Sequence, residues 1–444
     1  MHFSAQETIA AKTTTIKTAN KFANKISEPL LSSSPLTRDH SIAIFMALLA
    51  AVTLSPMMAW SQTTPLAASS LPEKIPEAHR EAPPLKFSKA CESGDSVTIS
   101  AVGDFLFHGN LQEQAARDPN HYLSIWQQAL PLFQKADIRY GNLEGPVAPG
   151  FKRGGFAAKD PGLVYDNSIY TSYPEFNYPR QVTDDLAASG ITIVSTANNH
   201  ALDRSANGVD STIANLDRVG VKYVGTRRSD QPGKWYEIVE SKGFKTAWVA
   251  CTFSTNGIPD RQKQVLGCFS DTPLLLSLIK DLSTRVDAVI VTPHWGEEYH
   301  LQAISSQIDL GKKMMDAGAL VVIGGHPHVL EPWTKYVSTD GKEHFLIYSM
   351  GNFASGQIGV EQTTSALVYV TLGRNHQSGT FVRGVGYVPL RMESDHKNGS
   401  WVRTLTKEND QAPNGSWSTW YGDFGRSNRV FETDTDLATK FCRM

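Results

Sequence analysis

Residues 97–110 read VTISAVGDFLFHGN, and the change of character at Gly103 governs how the rest of the chain is taken. The first six are small or β-branched and apolar, as in a buried strand, and they hand over at once to Asp104 and then to His108. The same handover recurs. Residues 191–195 (ITIVS) lead into Asn198, Asn199, His200 and Asp203; 288–292 (AVIVT) into His294; 320–323 (LVVI) into His326 and His328. A further polar stretch, GNLEGP, places Asn142 and Glu144 just after residues 137–140. In open α/β sheets the C-terminal strand edge is where sites form, because strand ends fix side chains while the loops leave room for a ligand.

Outward from these runs, residues 247–253 and 345–348 also have strand composition. Helical patterns at 182–189, 211–219, 273–286 and 306–317 lie between the strands, several closed by Gly190, Gly220 or Gly318. Alternating strand and helix predicts a layered α/β architecture. Residues 366–372 and 380–389 predict two antiparallel strands with no helix between them, hence a mixed sheet. From 393 to 444 the text is polar, with Trp401, Trp417 and Trp420 and no clear period, and it is expected to form an appendage packed on a core domain spanning 93–392. No internal repeat is found.

The N-terminus is of another kind. Residues 42–60 (IAIFMALLAAVTLSPMMAW) carry no charge and follow Lys12, Lys17, Lys21, Lys25 and Arg38. The run has the length of a secretory signal core, with Ala59-Trp60-Ser61 as a small-x-small cleavage site, so 1–61 is expected to be an export signal or, uncleaved, a membrane anchor. The Pro-, Ala- and Ser-rich stretch 62–92 is expected to be a linker. Export leads to a periplasmic or cell-envelope location, and the four cysteines suit an oxidising compartment. Cys251 with Cys268 and Cys91 with Cys442 are the favoured pairs, four buried free thiols being the alternative. A 41% hydrophobic share excludes bulk disorder, and a net charge of −2 from 42 basic and 44 acidic side chains excludes a general basic field for nucleic acid.

Asp104, His108, Glu144, Asn199, His200, His294, His326 and His328 make a set rich in imidazole and carboxylate and free of thiolate. That chemistry suits Mn, Fe or Zn, as one ion or as two bridged by a shared carboxylate. Such an ion polarises a phosphoryl or carbonyl oxygen and lowers the pKa of bound water, so hydrolysis is the natural reaction. Singly, a histidine after a strand is commonly structural, and Gly-Asp is commonly a turn. The Gly-Gly-His-Pro-His run is stronger, because two imidazoles lie on one side of a stiff extended segment.

Six ordered motifs, VGDFLFHGNL, GNLEGPV, STANNHALD, VTPHWGEEY, VIGGHPHV and YSMGNF, resemble the CapA family of capsule or poly-γ-glutamate synthesis proteins over about 95–390. The resemblance implies a metallophosphatase-like four-layer α-β-β-α sandwich with mixed sheets. It also implies that Asp104 is a first-motif metal ligand, Glu144 the bridging carboxylate and Asn199 an amide ligand, with His200, grouped with Asp203, as the catalytic acid. His294, His326 and His328 would be the remaining imidazole ligands, and His108 stands near a second first-motif ligand, though four residues from Asp104 rather than two. The family's Asp-aromatic-Gly is here Arg204-Ser205-Ala206, so the substrate-facing loop differs. By resemblance the substrate would be an anionic envelope polymer or a small phosphoester, met by Asn142, Lys152, Arg153 and Arg204, with Arg227 and Arg228 as further loop cations. Capsule-assembly partners would follow, and membrane contact only through an uncleaved leader. The competing expectation is a polymer-binding protein that keeps the fold without catalysis. A nucleotide phosphodiesterase fits the fold class, but no feature here would recognise a base.

Overall fold

The computed structural model describes residues 83–397, 400–407 and 420–444, so the expected signal and most of the expected linker, as well as Trp417 and the side chain of Trp401, lie outside the described residues. In chain order the strands are β1 Asp95–Leu106, β2 Ile138–Leu143, β3 Ile193–Ser195, β4 Lys222–Val224, β5 Tyr236–Ser241, β6 Phe244–Thr252 and β7 Ala288–His294. They continue with β8 Ala319–Ile323, β9 Leu330–Val337, β10 Glu343–Met350, β11 Asn352–Ser355, β12 Thr364–Asn375, β13 Gly379–Lys397 and β14 Ser400–Lys407.

These strands form two mixed sheets. One has the order β14-β13-β12-β1-β2-β3-β4, with β11 also on β1; the other runs β5-β6-β7-β8-β10-β9. The segments from β1 to β4 pair in parallel, as do β6, β7, β8 and β10, while β12, β13, β14, β5 and β9 join antiparallel. Parallel strands covered on both faces carry near-continuous apolar runs, and β6 shows why. Its Trp248 and Ala250 face the other sheet in a core shared with Ile99, Ala101, Ile290, Ile323 and Val368. Its Val249 and Cys251 point the other way, onto Leu275 and Ile279 of helix Thr272–Ser283 and Leu310 and Met314 of helix Ser305–Asp316. The first sheet has its own outer core, in which Phe105 packs edge-on against Trp126 and which takes in Leu186 of helix Gln181–Ala188 and Leu216 of helix Ser205–Val219. Helix, sheet, sheet, helix is therefore the four-layer sandwich expected.

Tyr140 of β2 stacks on Trp248 across the sheet interface, ring centroids 5.3 Å apart and planes 23° from parallel. Both expected disulfides are present. Cys251–Cys268 closes the loop after β6, and Cys91–Cys442 fastens helix Leu437–Arg443 to the segment before β1. The expected boundary at 392/393 falls inside β13, and β14 extends the first sheet. The C-terminal segment is thus partly integral to the core domain rather than laid on it, because β13 is long enough to carry a further partner strand.

Candidate metal centre and acid–base pair

The parallel strands of both sheets bring their C-terminal ends to one edge, and register does the rest. Asp104 and Asn142 are paired residues of β1 and β2, so Asn142 Nδ2 donates to Asp104 Oδ1 at 2.8 Å and lies 3.3 Å from His294 Nδ1. Asn142 is therefore buried, with its amide set against Asp104 and His294. Gly103 allows this part of β1 to lie against the β10–β11 turn, since a Cβ there would meet Gly351 O at 1.8 Å.

His294 ends β7 and approaches Asn199 Oδ1 at 2.9 Å through Nε2, with Glu144 Oε1 at 3.6 Å. His328 Nδ1 stands 3.2 Å from Asp104 Oδ2 and 3.1 Å from Asn352 Oδ1, and its Nε2 is 3.8 Å from Glu144 Oε1. His326 lies between them, its ring centroid 4.9 Å from that of His294 and 5.9 Å from that of His328. Both His326 and His328 have left-handed backbones, with φ of 102° and 59°. Such strain persists only where the surroundings over-determine it, and it clusters at functional sites.

Ligand-capable atoms of Asp104, Glu144 and His294 all lie within 4.8 Å of one another, as do those of Glu144, His326 and His328, so Glu144 belongs to both groups. Its two carboxylate oxygens are buried without a hydrogen-bond partner, and so is Nδ1 of His326. A buried carboxylate left so costs several kcal/mol unless a positive charge answers it. Burial drives the Asp104 carboxyl upward, reinforced by the charge of Glu144. Burial would raise Glu144 as well, but the charges of His328 and His294 outweigh it and hold the carboxyl below its ordinary range. His326 is pushed down to about 2 by burial and by the charges of His294 and His328. For His328, burial is overcome by Glu144 and Asp104, which lift it to about 9. Oxygen and imidazole donors around a buried carboxylate that has no hydrogen bond fit a divalent metal.

His200 stands beside this group with a partner of its own. Its Nδ1 is 2.8 Å from Asp203 Oδ2, which also accepts from Phe176 N at 2.6 Å. Burial works to lower the His200 pKa, but the bond and charge of Asp203 prevail and raise it. The Phe176 ring packs edge-on against His200 at 4.7 Å and against His108 at 5.2 Å. His108 belongs to neither group of ligand-capable atoms; its Nδ1 accepts from Gly356 N at 3.2 Å, and burial lowers it to about 4.

The loop cations divide. Lys152 is exposed, and Arg153, also exposed, pairs with Glu175 at 3.6 Å. Arg204 is fully buried and overturns the expectation of a substrate-facing cation. Its Nη1 donates to Asp203 O at 2.7 Å, Nη2 to Thr171 Oγ1 at 2.5 Å and Ile169 O at 3.2 Å, and Nε to Phe151 O at 3.2 Å. It ties the loops carrying Phe151 and Phe176 to the backbone of Asp203. Asn352 went unassigned in the sequence although it lies within YSMGNF; its Oδ1 faces His328 and its Nδ2 donates to His328 O at 3.2 Å.

Fold and site together define a four-layer α/β protein with a buried carboxylate–imidazole centre at the strand ends. The chain belongs to the family of bacterial capsule synthesis proteins (PGA_cap), whose profile matches residues 98–357. It is 29% identical over 364 residues to the capsule biosynthesis protein CapA of Bacillus anthracis, covering 79% of this chain and 76% of that one. With the PGA biosynthesis protein CapA of Bacillus subtilis it shares 29% over 335 residues, 72% of this chain and 80% of the relative. Among solved structures, a 5'-nucleotidase from Candida albicans superimposes with a TM-score of 0.35 at 11% identity, over 79% of this chain and 58% of that one.

Proposed function

We propose that the protein is an exported, metal-dependent hydrolase of capsule synthesis that acts at the cell envelope on an anionic polymer or a small phosphoester. Glu144 carries this reading: a carboxylate with both oxygens buried and without a hydrogen bond, shared by two groups of ligand-capable side chains, asks for divalent cations. Asp104, Glu144 and His294 would hold one ion, with Asn199 alongside, and Glu144, His326 and His328 a second. Bound there, Mn, Fe or Zn supplies Lewis acidity towards a phosphoryl or carbonyl oxygen and towards water.

The rest falls to the chain's own residues. Asp203 holds His200 by Nδ1, which leaves Nε2 to carry the proton that the leaving group needs when its bond breaks. Phe176 fixes the ring from the side, and its backbone N–H holds the same Asp203 oxygen that pairs with His200. Arg204 keeps Asp203 in place through its backbone carbonyl. The apolar, uncharged run 42–60 after a basic segment supports export, and the capsule-related names of the two Bacillus relatives support the setting. Among the described residues no helix is long and apolar enough to cross a membrane.

The test is metal analysis of the purified protein alongside Glu144→Gln, coupled to a screen of model phosphoesters and γ-glutamyl polymers. The wild type should hold stoichiometric transition metal that the variant loses together with turnover. A wild type that binds no metal after loading, or a His326→Ala variant with undiminished activity, would end the proposal.

A further inference from the structure

The strand-end edge does not stop at the histidines. Thr252 of β6 pairs with His294 of β7, and the next residue, Phe253, donates its N–H to His294 O at 2.9 Å. The half-exposed Phe253 ring lies 4.3 Å from that of His326. Beyond it opens a cleft of about 670 Å³, walled by Phe253, Trp235, Arg227, Lys263, Asp260 and Asp271 among others. That size is ordinary for a ligand site. Arg227 follows β4, so it comes from the same edge as Asp104, Asn142 and His294.

The charges in this cleft are unequal in their commitments. Asp260 accepts from Gln264 N at 3.0 Å and Val265 N at 2.8 Å; Asp271 accepts from Gly267 N at 2.8 Å and Ser270 Oγ at 3.2 Å. Both oxygens of Asp260 and Oδ2 of Asp271 are thus held by their own loop. The cations are not. The Arg227 guanidinium lies over Trp235, 4.1 Å from the ring centroid, and donates Nε to Lys263 O at 2.8 Å, while among the described residues its terminal nitrogens make no hydrogen bond. Lys263 is exposed with a left-handed backbone at φ 53°, its loop fixed by Asp260, and neither cation joins an ion pair among the described residues. One open aromatic face, that of Phe253, and two cations outside any ion pair beside a metal-type centre suit a chain whose anionic groups are separated by apolar spacer atoms.

We infer that this cleft is the subsite for the part of the substrate next to the reacting bond, with Phe253 packing its spacer atoms and Arg227, held on Trp235, and Lys263 binding its anionic group. The inference rests on the proposed hydrolase for what reacts, but the binding it describes does not need the reaction.

The test uses the full chain treated with chelator, and a fluorescein-labelled glutamate decapeptide as probe, with a glutamine decapeptide and a short polyphosphate as the other arms. The wild type should bind the glutamate probe and not the glutamine one. Arg227→Gln with Lys263→Gln should weaken binding at least about 10-fold, and Phe253→Ala should weaken it as well. Arg227→Lys should restore part of the loss if the variants remain folded by circular dichroism. No binding by the wild type, or a double variant within twofold of it, overturns the subsite. Polyphosphate bound equally well and indifferently to Phe253→Ala overturns the spacer-reading part. Metal loss in Glu144→Gln, followed separately, reports on the hydrolase: if metal binding fails while probe binding stands, only the hydrolase falls.

Discussion

Replacing Glu331 by Gln should flatten the pH dependence of stability. Glu331 sits in β9 opposite Ser349 and is fully buried. Its Oε2 accepts one bond from Gln307 Nε2 at 2.7 Å, while Oε1 has no partner. Burial pushes the carboxyl up to about 8 from an ordinary 4.5, against the smaller opposing effect of the Gln307 bond. The folded state therefore keeps the proton over a range where the unfolded chain has lost it. A raised folded value means that the stabilising contribution is complete below the unfolded pKa and is lost as pH climbs from there through the folded one. Within that window the slope approaches ~1.4 kcal/mol per pH unit, so the loss between pH 5 and pH 7 amounts to roughly 2 to 3 kcal/mol. Gln keeps the shape and one acceptor for Gln307 but does not titrate. Urea unfolding followed by tryptophan fluorescence at pH 5, 6 and 7 should show the wild type losing stability relative to Glu331→Gln by about that amount. Every other group titrates in both chains and cancels. Parallel profiles would refute the reasoning, since they would mean that Glu331 is ionised in the fold.

Two further changes separate the proton donor from the metal centre. Asp203→Asn should lower turnover of any hydrolysed phosphoester by about 100-fold or more through the loss of His200 orientation and charge, with metal content by elemental analysis unchanged; full turnover would remove His200 from the acid role. Arg204→Met should leave the acceptors Phe151 O, Ile169 O and Asp203 O without their guanidinium donors and cost about 3 kcal/mol. Limited proteolysis should then cut within 151–177 before the sheets are touched, and a protease-resistant loop in the variant would contradict the stapling role.

The strands that were legible in sequence are those buried on both faces. Residues 288–291 and 320–323 are apolar throughout because β7 and β8 have a core on either side, so neither periodicity nor edge effects blur them. Strands at the margins carried no such mark. β9 reads LEPWTKYV, and Pro332 argues against a central strand; the structure puts it at the end of the second sheet, where a missing backbone donor is tolerated. β4 and β5 are short or half exposed and blend with the surrounding polar text. Helix Ser205–Val219 begins six residues before its expected start, in a stretch where Ser205, Asn207 and Gly208 are weak helix formers and mask it in the sequence.

Which residues gather at the site was readable; what each does there was not, and the reason is register. Asn142 and Glu144 are both polar, two apart, after the same apolar run, and composition alone cannot assign them different tasks. Pairing Asn142 with Asp104 places its amide on a carboxylate and an imidazole, while Glu144, just past the end of β2, delivers two unpartnered oxygens to the gap between the sheets. A slip of one residue between β1 and β2 would turn these side chains to the opposite face and dissolve the centre. The Gly103 contact fixes β1 against the β10–β11 turn, where Asp104 N donates to Gly351 O at 3.0 Å and any larger residue in place of Gly103 would strike the same oxygen. The glycine in VGDF thus acts at a distance of one residue from the chemistry, by holding the register that makes Asp104, rather than its neighbours, the group facing the metal-type cluster.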